Sequence, residues 1–104
     1  NSPITYSVAK SALNAYVQGM ANPLSENGIR INAVAPGNIM FDGSTWDKKQ
    51  KEDPVSVKNY LNENVPLGIL GTPNEIANAV AYLSSPLASF TTGAIWTIDG
   101  GQSV

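Results

Sequence analysis

Residues 27–37 read Asn27-Gly28-Ile29-Arg30-Ile31-Asn32-Ala33-Val34-Ala35-Pro36-Gly37, and this stretch decides the fold. Ile29, Ile31, Ala33 and Ala35 alternate with Arg30, Asn32 and Val34, which predicts a strand over 29–35. Pro36-Gly37 ends it, since proline cannot donate to a ladder and the pair favours a turn. Asn27-Gly28 stops what comes before, because glycine is free to take the left-handed conformation. What comes before is a helix, expected over 4–26. Wound at roughly 100° per residue, Tyr6, Lys10, Leu13, Val17, Met20 and Leu24 share one face. Val8, Ala12, Ala15 and Gly19 lie nearly opposite and are small enough to admit a second helix closely. A helix apolar on two sides should be covered on two sides. Pro23 should kink it or end its regular part early.

Downstream, residues 38–52 read as an irregular, partly helical loop carrying Met40, Phe41 and Trp46. Asp53-Pro54 is an N-cap followed by proline, opening a helix that runs to about Val65. Thr72-Pro73-Asn74-Glu75 is a capping box that starts another helix, with Ile76, Val80 and Leu83 as its buried stripe. Ala94-Ile95-Trp96-Thr97-Ile98 reads as a buried strand stopped by Asp99-Gly100-Gly101. Helix, strand, helices, strand is an α/β order with parallel strands.

Composition removes several function classes. The 104 residues are 42% hydrophobic and 13% charged, as suits one compact domain or a piece of one. A net charge of −2 with Arg30 as the sole arginine leaves no basic surface, so no nucleic-acid partner is expected. Zero cysteine and zero histidine exclude disulfides, thiolate chemistry, a Ser-His-Asp triad and the usual zinc sites. No apolar run approaches the roughly 20 residues that span a bilayer, so no membrane partner is expected and a cytoplasmic setting fits. The start at Asn1 rather than Met suggests a truncated product.

The chemistry-bearing feature is Tyr6-Ser7-Val8-Ala9-Lys10. On a helix Tyr6 and Lys10 leave the same face one turn apart. A lysine ammonium beside a phenol favours the phenolate, which makes Tyr6 a candidate general acid/base. The same spacing on its own also fits two unrelated residues on a helix surface.

Four signals in one order carry a resemblance: Tyr6-x-x-x-Lys10, Asn32-Ala33-Val34-Ala35-Pro36-Gly37, Gly71-Thr72-Pro73-Asn74-Glu75-Ile76-Ala77, and Thr92-Gly93-Ala94 through Asp99-Gly100-Gly101. Over essentially its whole length the chain resembles the C-terminal portion of the short-chain dehydrogenase/reductase family. The likeness is to the single-domain branch that includes 3-oxoacyl-(acyl carrier protein) reductase-like members. The resemblance implies part of a doubly wound, Rossmann-type parallel sheet, with two strands and about four helices present. It implies NAD or NADP as cofactor and hydride transfer to or from a small carbonyl or alcohol substrate.

By the same resemblance Tyr6 matches the catalytic acid/base, and Lys10 matches the lysine that holds the nicotinamide ribose and assists the tyrosine. Pro36, Gly37 and Ile39 match the nicotinamide-lining segment, with the Ile39 backbone bonding the carboxamide. Phe41 stands where many relatives carry a phosphate-contacting threonine; Ser44 or Thr45 is the expected substitute. Met40, Phe41, Trp46 and Tyr60 fall in the region that covers substrate, though Trp46 and Phe41 suit loop anchoring equally. Trp96 reads as core.

The family's glycine-rich phosphate loop, its catalytic serine and a relay asparagine have no counterpart here, and Ser2 and Ser7 are wrongly spaced. The chain therefore reads as roughly the last two-fifths of a domain of about 250 residues, lacking the N-terminal nucleotide-binding portion. The edge of strand 29–35 should lie open, and homo-oligomerisation through helix 4–26 is expected. The competing reading is a non-catalytic oligomerisation or interaction fragment.

Overall fold

The computed structural model describes residues 3–104. Its elements are α1 (Ile4–Ser25), β1 (Ala33–Pro36), α2 (Thr45–Glu52), α3 (Pro54–Asn64), α4 (Pro73–Ser84), a 3-10 turn at Pro86–Ala88, and β2 (Ile95–Ile98). The two strands pair as a parallel sheet, a partial α/β fold, and among the described residues each has one neighbour. The chain divides into two compact units. One contains the residues up to Ala33 with Tyr82–Trp96; the other contains Val34–Ala81 with Thr97–Val104.

In the first unit, α1 runs through Pro23 and closes two residues later. Gly28 at φ 70° turns the chain, and the Ile29 N–H returns to the Leu24 carbonyl at 3.1 Å. Of the two apolar faces expected to be covered, only Val17 is buried; Ile4, Tyr6, Val8, Leu13 and Tyr16 are exposed. The strand expected from Ile29 begins at Ala33 instead. Before that point one backbone bond, from the Gly93 N–H to the Ile31 carbonyl at 2.6 Å, is flanked by side-chain bonds. Asn32 Nδ2 donates to the Thr91 carbonyl and Asn32 Oδ1 accepts from the Ala94 N–H, both at 3.0 Å. Thr92 Oγ1 accepts from the Ile31 N–H. Arg30 points its guanidinium at the carbonyls of Leu83, Ser85 and Thr91, 2.8–3.2 Å away. Trp96, expected in the core, is half-buried and stacks on Tyr82 with centroids 5.4 Å apart.

In the second unit the core is Val57, Leu61 and Val65, with Trp46, Tyr60 and Leu70 packed against it. Burying such side chains stabilises by about 1.5–3 kcal/mol each. Residues 45–52, part of a stretch expected to be irregular and only partly helical, form the regular helix α2. Its cap explains the difference: Ser44 Oγ accepts from the Asp47 N–H, and Asp47 Oδ2 reaches back to the Gly43 N–H. The Gly43 N–H, and then Lys51 one turn on at 3.0 Å from Asp47, hold the Asp47 carboxyl below its usual range. α3 begins as expected, with Asp53 accepting from the Ser56 N–H. α4 also starts at its box, where Glu75 accepts from the Thr72 N–H at 3.2 Å. Its stripe departs from expectation: Leu83 is buried and Ile76 half-buried, but Val80 is exposed. Val80 lines an open apolar groove rather than a packed interface.

Candidate functional site

Tyr6 and Lys10 lie in the first turns of α1, and the structure brings them together. The Lys10 Nζ sits over the Tyr6 ring, 5.4 Å from its centroid. Positive charge is drawn to the electron-rich ring face, an attraction of about 0.5–1 kcal/mol at an exposed site. Both residues are exposed, so the pair faces outward. Among the described residues the one ion pair is Lys51–Asp47, which leaves Lys10 without a carboxylate partner.

Pro36, Gly37 and Ile39 belong to the other unit. The Gly37 N–H continues the ladder to the Ile98 carbonyl at 2.9 Å. A Cβ on Gly37 would lie 2.6 Å from Asp99 Cβ and 2.7 Å from Asp99 Cα. Glycine at this turn is thus required by the end of β2 itself. Asp99 in turn folds the following residues: its two carboxylate oxygens accept from the Gly101 and Ser103 N–H groups at 2.9 Å. The Ser103 side chain, and then these backbone donors, hold the Asp99 carboxyl below its usual range.

Ile39 forms an isolated parallel bridge with Gly71. The Gly71 N–H donates to the Asn38 carbonyl and the Met40 N–H donates to the Gly71 carbonyl, each at 2.9 Å. In such a bridge the flanking residues make the bonds, so the N–H and C=O of Ile39 point along the opposite edge. Among the described residues no hydrogen bond uses them. Ile39 also borders two apolar spaces. One is a cavity of about 180 Å³ with Val65, Leu67 and Ile98 among its walls. The other is the groove beside α4, bounded by Pro36, Phe41 and Val80.

Phe41 is exposed, and its N–H donates to Ser44 Oγ. Ser44 is 7% exposed, with its oxygen accepting from the Phe41 and Asp47 N–H groups in the α2 cap, and this burial sets it apart from the expected role of substitute for a phosphate-contacting threonine. Thr45 remains exposed. Trp46 packs on Tyr60, ring centroids 5.1 Å apart, and so anchors its loop. Sequence reasoning missed Asn38 and Gln102 as side chains with partners, and nothing in their local patterns marked them. Ser2 lies outside the described residues. Among the described residues no His, Cys, Asp or Glu cluster could hold a metal, and no helix is long and apolar enough to cross a membrane.

Comparison with known proteins shows what the chain is similar to. The family model described as enoyl-(acyl carrier protein) reductase matches residues 1–103. Isoepoxydon dehydrogenase of Aspergillus clavatus is 40% identical over 98% of this chain, which covers 39% of that protein. The structure of 4-hydroxyisoleucine dehydrogenase complexed with NADH superposes with a TM-score of 0.82 at 28% identity, covering 94% of this chain and 39% of its own. An NADPH-bound short chain oxidoreductase from Pseudomonas aeruginosa PAO1 gives 0.80 at 28% identity, over 94% of this chain and 38% of that one. The chain spans about two-fifths of the length of the curated relatives it matches.

Proposed function

The chain belongs to the short-chain dehydrogenase/reductase family, and from that premise we propose that it supplies the acid/base pair and a nicotinamide-facing edge of an oxidoreductase. That enzyme uses NAD or NADP and interconverts a small-molecule carbonyl and alcohol. The observation that carries this reading is the Lys10 ammonium seated over Tyr6 in a chain without histidine.

The residues present fit the cofactor. A carboxamide offers an NH2 donor and a C=O acceptor, and Ile39 presents the complementary C=O and N–H on one free backbone edge. Pro36 and Gly37 set that edge at the carboxyl end of β1, where ligands of parallel sheets bind. When bound, the dinucleotide supplies or accepts the hydride at its nicotinamide ring. Tyr6 handles the proton. In reduction its O–H donates to the substrate oxygen as the carbonyl carbon gains hydride; in oxidation its oxygen takes the alcohol proton. Lys10 supplies positive charge over the ring whose oxygen becomes negative.

The two solved structures named above are bound to NADH in one case and NADPH in the other, and the reading accommodates both. Its test is Tyr6→Phe in the full-length protein. Turnover should fall by a factor of about 100 to 10,000, while cofactor affinity changes little. Near-normal turnover would remove the acid/base assignment.

The exposed apolar residues of α1 favour a second reading, a non-catalytic oligomerisation or interaction fragment. Titration of the full-length protein with NADH and, separately, with NADPH, followed by fluorescence, separates the two. Saturable binding supports the enzyme, and its absence supports the module. The bare 104 residues should bind weakly or not at all.

A further inference from the structure

Three polar side chains distant in sequence meet beside Ile39. Asn38 Nδ2 donates to Gln102 Oε1 at 2.9 Å, and Gln102 Nε2 donates to the Tyr60 hydroxyl at 3.0 Å. A third contact, Asn38 Nδ2 to the Tyr60 hydroxyl at 3.5 Å, is at the outer limit of a hydrogen bond. All three residues are half-buried. Packing does not account for them. The Tyr60 ring already lies against Trp46 without help from its hydroxyl, and an apolar side chain at position 102 would fill the space without needing partners.

What the trio does is hold Asn38. That residue is gripped at its side chain by Gln102, and its peptide carbonyl accepts from the Gly71 N–H at 2.9 Å. On the other side of Ile39, the Met40 N–H is fixed to the Gly71 carbonyl. The unbonded peptide edge of Ile39 is therefore clamped from both neighbours. We propose that Gln102 and Tyr60 are positioning residues that, through Asn38, set the direction of the Ile39 N–H and C=O and so set affinity for the nicotinamide carboxamide. This rests on the reading of Ile39 given above.

The experiment uses the full-length protein and three variants. Gln102→Met keeps the length of the side chain and removes both bonds. Gln102→Glu restores both, since a carboxylate accepts from Asn38 Nδ2 and from a Tyr60 O–H that turns to donate. Tyr60→Phe removes one. Dissociation constants are measured for the reduced dinucleotide and for the matching ADP-ribose, which lacks the nicotinamide. Amide exchange at Met40 and Gly71 is followed without ligand.

Gln102→Met should weaken the dinucleotide by roughly five- to tenfold, the worth of one to two neutral hydrogen bonds, and leave ADP-ribose unaffected. Exchange at Met40 and Gly71 should quicken. Gln102→Glu should return both readouts toward wild type, and Tyr60→Phe should fall between. An unchanged ratio of the two constants in Gln102→Met overturns the inference, as does a Gln102→Glu variant as weak as Gln102→Met. If Gln102→Met does not fold, Tyr60→Phe decides: a smaller loss specific to the dinucleotide supports the inference, and no loss overturns it. A wild-type protein that binds the dinucleotide no better than ADP-ribose overturns the Ile39 reading, and this inference with it.

Discussion

At Gly37 one methyl group decides whether the turn after β1 closes. The nearest atoms are the Cα and Cβ of Asp99, inside 2.8 Å of where a Cβ would stand, and backbone cannot swing aside as a long side chain can. Gly37→Ala should destabilise by about 1–3 kcal/mol, the usual cost of overpacking, read as a lower urea midpoint. A midpoint equal to wild type would mean that Asp99 is held less firmly than its hydrogen bonds imply. Asp99 carries its own prediction. Its carboxyl titrates below the ordinary value of 3.8, first because of the Ser103 side chain and then because of the backbone donors that follow. A depressed value means that the ionised form favours the folded state. Its contribution is complete above the ordinary value and is lost as pH falls through the folded one. The stability advantage of wild type over Asp99→Asn should therefore shrink between about pH 5 and about pH 3, which melting curves at a series of pH values would show.

At the level of elements, Arg30 stands in for strand pairing. One guanidinium occupies three carbonyls, at the end of α4, beside the 3-10 turn and at Thr91. Cations at a helix C-terminus are favourable, and hydrogen bonds to a charged group are worth about 1.5–3 kcal/mol. Arg30→Met should cost about that much in urea unfolding, far more than removal of an exposed lysine such as Lys48. The same element shows why sequence reasoning succeeds in some places and not others. α1, α3 and α4 were legible because their caps and stops are local: Asp53-Pro54, Thr72 through Glu75, and Asn27-Gly28. The start of β1 was not, because Arg30 and Asn32 find partners about 60 residues away and an alternating pattern cannot reveal them. The bounds of α2 were not read, although Ser44 and Asp47 stand at capping-box spacing, because the flanking glycine and aromatic residues made the stretch read as only partly helical loop. Tyr6 and Lys10 were legible as neighbours from a one-turn spacing. The Asn38, Gln102 and Tyr60 junction was not, since its members are 22 to 64 residues apart.

For the molecule as a whole, the informative surface is α1. Gly19 has nothing within 4 Å of where a Cβ would stand, so this chain's own packing does not call for glycine there. Together with exposed Val8 and Tyr16, it makes a face shaped for close approach by another helix. We expect the 104-residue chain to self-associate, and Gly19→Leu, which keeps the helix but fills the face, to weaken that association. Gel filtration with intact-mass measurement checks both. A stable, monodisperse 11.0 kDa monomer would sink the expectation.

The lone bridge between Ile39 and Gly71 bears on how this region can be engineered. The group that the proposed reading offers to a ligand there is a peptide edge, which every amino acid but proline possesses. The Ile39 side chain points elsewhere, its Cδ1 filling the space that a Cβ on Gly71 would need, 2.6 Å away. A combinatorial library can therefore vary position 39 over aliphatic shapes while keeping its donor and acceptor intact. Position 71 is tight only while Ile39 keeps its Cδ1 there, so a library gains most by varying positions 39 and 71 together.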